Sequence, residues 1–230
     1  MESPKRQFED QYHDLIKKYV DVPLEKYGLV QNCQWKHDPR RLLFVYSRYK
    51  FVSKMFEGFE TVLEVGCADA FATRLVQQTV RKVVVSDFDK IFIDDILSRQ
   101  QSDWHLDTRV HDMTQAPIQE NFDGVFCLDV FEHIEQKDEN AFVMNICLSL
   151  NKHGSAIFGM PSLESQTYAS EGSKLGHVNC KSGIDLRAFL KKYFHSVFMF
   201  SMNDEVVHTG FFPMSHYLIA VCADKKSAVE

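Results

Sequence analysis

The chain has 230 residues, 45% of them hydrophobic, enough to bury one substantial core. Its formal charge of -6 argues against a protein that works by neutralising phosphates, so no nucleic-acid partner is expected. Six cysteines without a CxxC pair suggest neither a zinc knuckle nor a redox dithiol, and no apolar run nears the ~20 residues that span a bilayer. A cytoplasmic chain without a membrane partner is the expectation.

From Phe8 to Val20, the apolar residues Phe8, Tyr12, Leu15, Ile16 and Tyr19 recur at helical spacing, which predicts an amphipathic helix with one buried stripe. Pro23 and Gly28 break it. A second helix is predicted to start at Asp38-Pro39, a cap followed by proline at the first helical position, and to run through Leu42, Tyr46, Tyr49 and Val52 to a stop at Gly58. Residues 1–58 therefore read as a helical extension, and residues 28–50, with His37, Arg40 and Arg41, as a lid that contacts the substrate.

Beyond residue 60 short apolar runs alternate with helical segments, the pattern of βαβ units. The predicted strands are 61–65, 82–86, 105–110, 123–128 and 155–159, and helices are predicted over 71–78, 90–99 and 139–150. Ser182, with Asp185 three residues later, opens another helix that carries Leu186, Phe189 and Leu190. Two last strands, 195–201 and 213–222, have no helix between them and must pair antiparallel. The expectation is an α/β fold over 59–230: a doubly wound, Rossmann-like, seven-stranded sheet, mostly parallel, with an antiparallel terminal strand and N-terminal helices.

The chemistry should gather where strands end, because open α/β sheets bind ligands at their carboxyl edge. The first strand leads into Glu64-Val65-Gly66-Cys67-Ala68-Asp69-Ala70. A nicotinamide site would want G-x-G-x-x-G, but only Gly66 is present, and Glu64 and Asp69 would repel a pyrophosphate. These carboxylates suit a ligand with an ammonium or sulfonium. Asp87 closes the second strand, where an acid can accept both hydroxyls of a ribose; Asp112-Met113 follows the third, and Asp129 the fourth.

With these motifs in this order, the chain resembles the class I S-adenosylmethionine-dependent methyltransferases of the small-molecule type, over roughly residues 60–200. The resemblance implies S-adenosylmethionine as cofactor. Glu64, Gly66, Cys67, Ala68 and Asp69 would hold its methionine end, Asp87 and Phe88 the ribose, Asp112 and Met113 the adenine, and Asp129 would lie near the methyl donor. Ala68 and Ala70 stand where the family usually has glycine. If their φ angles are positive, each carries strain of ~1 kcal/mol, enough to weaken the cofactor several-fold.

Methyl transfer to an alcohol needs a base, and histidine suits that task. His177, in the loop after the fifth strand, is one candidate, against a reading in which it caps the loop backbone. His133, after the fourth strand, is another, and Asp129 is a third candidate catalytic group. His208 is a candidate substrate contact. His133, His177 and His208 with Asp129 show no H-x-x-x-H spacing, so no metal is expected. The function expected is methyl transfer to oxygen on a small polar acceptor, a sugar or glycan precursor being favoured by likeness to bacterial carbohydrate methyltransferases. Transfer to nitrogen, or a non-catalytic binding module, stays open, as does a homodimer.

Overall fold

The computed structural model describes residues 7–227. Three helices come first, α1 (Gln7–Val20), α2 (Leu29–His37) and α3 (Arg40–Met55). Then follow β1 (Thr61–Val65), α4 (Arg74–Gln77), β2 (Lys82–Asp87), α5 (Lys90–Arg99), β3 (Asp107–Val110) and β4 (Phe122–Leu128). The chain continues through α6 (Glu139–Ser149), β5 (Leu150–Pro161), α7 (Glu171–Gly176), α8 (Gly183–Leu190), β6 (Phe194–Asn203), β7 (Val206–His208) and β8 (Tyr217–Lys225).

All eight strands form one sheet in the order β3-β2-β1-β4-β5-β8-β6-β7. The first five are parallel, and β8 inserts antiparallel between β5 and β6. The expected seven strands thus become eight. The addition is β7, whose Val206–His208 folds back on Ser201–Asn203. Asp204-Glu205 makes the two-residue turn, with Asp204 at φ +49°, the left-handed backbone that tight hairpins demand. A strand of three residues is too short for alternation to reveal, so this stretch reads as a polar loop.

Alternation along β1 sets the layers. Val62 faces a core shared with α3, α4 and α5, while Leu63 and Val65 face a second core with α6 and α8. Glu64 falls on the Val62 side, which places a carboxylate in an apolar layer. From β1 the chain steps outward through β2 to β3, then returns to β4 on the other flank. The carboxyl ends of β1 and β4 therefore form the switch point at which such sheets open a cleft.

The N-terminal region departs from expectation. Residues 29–37 form α2, where no helix was predicted; its sequence has no clean apolar stripe. Asp38 terminates α2, and α3 begins one residue beyond the predicted proline. The stripe of α1 is not buried: Tyr12, Leu15, Ile16 and Tyr19 are exposed. Phe8, expected on the same stripe, lies outside the described side chains. No helix of the described residues is long and apolar enough to cross a membrane.

Candidate functional site

The turn after β1 takes its shape from its backbone. Gly66 has φ +72°, Ala68 φ +45° and Ala70 φ +49°, so both alanines occupy the left-handed region in which a Cβ costs ~1 kcal/mol. A Cβ on Gly66 would sit 2.3 Å from Val130 Cγ2, so this position also needs the missing side chain for space. Asp129, at the end of β4, is likewise left-handed at φ +57°. Three strained residues at two adjoining strand ends mark a place held for a purpose other than stability.

Two cavities open here. One, of about 530 Å³, is lined by Asp87, Phe88, Asp112, Met113, Val130 and Ile134. The other, of about 430 Å³, lies beneath α2 and α3 and is lined by Gln34, Arg41, Arg48, Asp69, Glu132 and His177. Gly66, Ala68, Asp129 and His133 line both. The cavities are therefore two arms of one cleft that meet at the β1 and β4 ends.

In the first arm, Asp87 accepts from the backbone N–H of Ala68 at 2.9 Å and of Asp89 at 3.0 Å, which fixes its carboxylate. Burial raises its pKa. Each oxygen has a second lone pair for another donor. Asp112 holds its turn by accepting from Thr114, Met113 is buried, and Phe88 stands 74% exposed with its ring on the cavity.

In the second arm, Arg48 is the pivot. It donates to Asp129 Oδ2 at 2.6 Å, and its guanidinium lies 3.7 Å above the centre of the Tyr217 ring. Burial alone would lower its pKa, but Asp129 carries it above the ordinary arginine value. Behind it, Glu132 is buried beside Asp129, and burial pushes its carboxyl well up. His177, half-buried, is lowered by burial and by His133, whose ring lies 5.3 Å from its own.

Two acidic residues of the turn serve the framework. Glu64 is 1% exposed and faces neither arm; it accepts from Tyr49 Oη at 2.5 Å and from Thr73 Oγ1 at 2.6 Å. Burial lifts its pKa to about 7 despite those two bonds. Asp69 accepts from the backbone N–H of Gln31 at 2.7 Å, in the first turn of α2. Its side chain occupies the space in front of Gly28, where a Cβ would come within 2.2 Å of Asp69 Cβ. Tyr49, Asp69 and Arg48 thus help to hold α2 and α3 over the sheet edge.

Of the residues picked from sequence, Gly66, Cys67, Ala68, Asp69, Asp87, Phe88, Asp112, Met113, Asp129, His133, His177 and Arg41 all line the cleft. Glu64 does not, because strand alternation turns it toward α3. His37 points away and bonds Cys33 O, and the exposed Arg40 pairs with Asp38 instead of entering the cleft. His208 lies on β7, bonded to Asn203 and Gly210, and lines neither arm. Sequence reasoning missed Arg48, Glu132 and Gln34. One signal was present: Arg41, Phe44, Val45, Arg48 and Tyr49 share one face of α3 by spacings of three and four, and that face roofs the cleft.

A sheet whose five parallel strands open a cleft at their switch point has the architecture in which open α/β folds bind ligands. Residues 62–154 match the family model described as a methyltransferase domain. No curated protein matches the sequence. Among solved structures, the chain is similar to the N-methyltransferase NodS from Bradyrhizobium japonicum WM9 in complex with S-adenosylhomocysteine. Identity is 18%, over 83% of this chain and 91% of that one, with a TM-score of 0.62. An S-adenosylmethionine-dependent methyltransferase from Clostridium acetobutylicum matches at 11% identity over 94% and 97%, with a TM-score of 0.62. The 1,6-didemethyltoxoflavin-N1-methyltransferase of Burkholderia thailandensis matches at 11% identity over 98% and 94%, with a TM-score of 0.61.

The fold is the Rossmann-like α/β fold of these enzymes. Residues 62–154 thus carry a methyltransferase domain, and that match together with the fold supports methyl transfer with S-adenosylmethionine as cofactor.

Proposed function

We propose that the chain transfers the methyl group of S-adenosylmethionine to an oxygen of a small polar acceptor, a sugar or glycan precursor being the favoured class. The observation that carries the reading is the two-armed cleft, whose arms meet at Gly66, Ala68, Asp129 and His133. One arm suits the nucleoside: Asp87 accepts the ribose hydroxyls, Phe88 and Ile134 cover the base, and Asp112 and Met113 meet the adenine edge. Arg48 and Asp129, where the two arms meet, would hold the carboxylate and the ammonium of the methionine end. The bound cofactor supplies an electrophilic methyl on a sulfonium.

The other arm is the acceptor's. Gln34, Arg41, His133 and His177 give it a polar lining suited to a polyhydroxyl compound, and α2 with α3 covers it and excludes water. The lowered pKa of His177 keeps its ring neutral near pH 7, so it can take the acceptor's proton as the oxygen–carbon bond forms and the carbon–sulfur bond breaks. On this reading, residues 1–58 act as the lid extension and 59–230 as the catalytic unit.

The experiment is a methyl-transfer screen against alcohols, amines and nucleotide sugars, read as release of S-adenosylhomocysteine. Turnover with hydroxyl acceptors supports the proposal; turnover confined to amines overturns it in favour of nitrogen chemistry, which the names of the B. japonicum and B. thailandensis enzymes carry. Asp87→Asn should weaken S-adenosylhomocysteine at least ~10-fold by calorimetry, since two charge-assisted hydrogen bonds are reduced.

A further inference from the structure

The turn after β4 and the loop after β5 bring Glu132, His133 and His177 together, and one ligand atom from each lies within 4.8 Å of the others. Each side chain has a lone pair to give. His133 Nδ1 lies 2.7 Å from Gly176 O, and a carbonyl only accepts, so Nδ1 carries the hydrogen and Nε2 is left bare in the neutral ring. His177 Nδ1 lies 2.7 Å from Gln166 Oε1, which sets the same tautomer. Glu132 is 1% exposed, and its Oε2 is buried with no hydrogen-bond partner. An orphaned carboxylate oxygen costs free energy unless something occupies the space beside it.

An imidazole whose second nitrogen donates to a carbonyl is the arrangement that orients histidine toward a metal. Ligand atoms about a bound divalent cation stand ~3–3.5 Å apart, so side-chain rotations of about an ångström close the set. Two imidazoles and one carboxylate select a first-row transition metal; magnesium and calcium take oxygen ligands.

We propose that Glu132, His133 and His177 form a three-ligand site for a divalent transition-metal cation, with its open coordination positions facing the acceptor arm. Three protein ligands leave room for an acceptor hydroxyl or water. This role deepens the methyl-transfer reading and rests on it; the binding of the cation does not. Coordination would lower the pKa of the acceptor hydroxyl, and its proton would pass to a hydroxide held in a neighbouring open position, leaving water. The oxygen bonds to the methyl carbon, the carbon–sulfur bond breaks with its electron pair on sulfur, and the metal keeps its oxidation state. His177 then holds the cation, and coordination replaces proton abstraction by its ring.

The test uses chelator-treated full chain titrated with Mn²⁺ or Co²⁺ alone, by calorimetry and by the visible absorption of bound Co²⁺. Wild type should bind one equivalent, and Glu132→Gln and His177→Ala should each bind at least ~10-fold more weakly while keeping the wild-type circular dichroism. If Glu132→Gln fails to fold, the variant at the less buried His177 carries the comparison. Absence of stoichiometric binding by wild type, or equal binding by a folded variant, overturns the site. S-adenosylhomocysteine is titrated in parallel. Cofactor binding without metal binding sinks this inference and spares the functional reading; metal binding at these residues without cofactor binding does the reverse.

Discussion

Replacing Glu64 with glutamine isolates the cost of a charge held in an apolar layer. Burial between Tyr49, Thr73 and the strands raises its pKa from 4.5 to about 7. A carboxyl with a raised folded-state pKa stabilises the fold fully below its unfolded pKa, and that contribution is lost as pH rises through the folded value. The window is therefore pH 4.5 to about 7, and the loss across it is about 3 kcal/mol at 1.36 kcal/mol per unit. Asp69 and Asp87 are raised in the same sense in both proteins, so the difference between wild type and Glu64→Gln reports Glu64 together with its Coulombic coupling to these two acids. Glutamine keeps the shape, and the Thr73 hydroxyl can turn to accept from its amide. Urea unfolding followed by circular dichroism at half-unit steps from pH 5 to 8.5 measures the effect. Wild type should lose stability relative to Glu64→Gln up to about pH 7, then run parallel to it. A pH-independent difference would refute the linkage.

Three other predictions concern the cleft. Ala68→Gly and Ala70→Gly should tighten S-adenosylhomocysteine by several-fold each, since relief of ~1 kcal/mol of left-handed strain is worth about a factor of five; calorimetry that shows no change in either would mean the strain is not drawn on by the ligand. Gly28→Ala forces Asp69 off the first turn of α2, at a cost of ~1 kcal/mol for the lost cap. It should speed proteolysis of residues 20–40 with little change in the melting of the sheet. His177→Ala should lower turnover ~10²-fold with cofactor affinity nearly intact, whether the ring takes a proton or holds a cation; an unchanged rate removes it from both roles.

Much of the sheet was legible because parallel strands buried on both faces read as short apolar runs, and the helices between them carry their own period. The Ser182 cap was legible as well: its hydroxyl accepts from Asp185 N–H, as the spacing predicts. The failures are specific. The three residues of β7 are too few to alternate. The α2 helix lacks a stripe, and it is held by a hydrogen bond to Asp69, 38 residues away. The stripe on α1 met the helical template but is exposed.

The sequence by itself determined the order of the five parallel strands and the helices between them, the acidic strand ends and the strained turn: Ala68 and Ala70 stand where a turn of this shape prefers glycine, and both are left-handed. These are local properties, set by side-chain period and backbone sterics. Only the tertiary structure decided which acids face the cleft. Strand alternation and the helix above turned Glu64 inward to Tyr49, and Asp69, at the cleft wall, also accepts from the first turn of α2, while Arg48 crossed 81 residues of chain to reach Asp129. Spacing is silent on such contacts because their partners meet only when α3 docks on the sheet edge. The convergence of Glu132, His133 and His177 is of the same kind, assembled by two loops that lie far apart in sequence and adjacent at the end of β4.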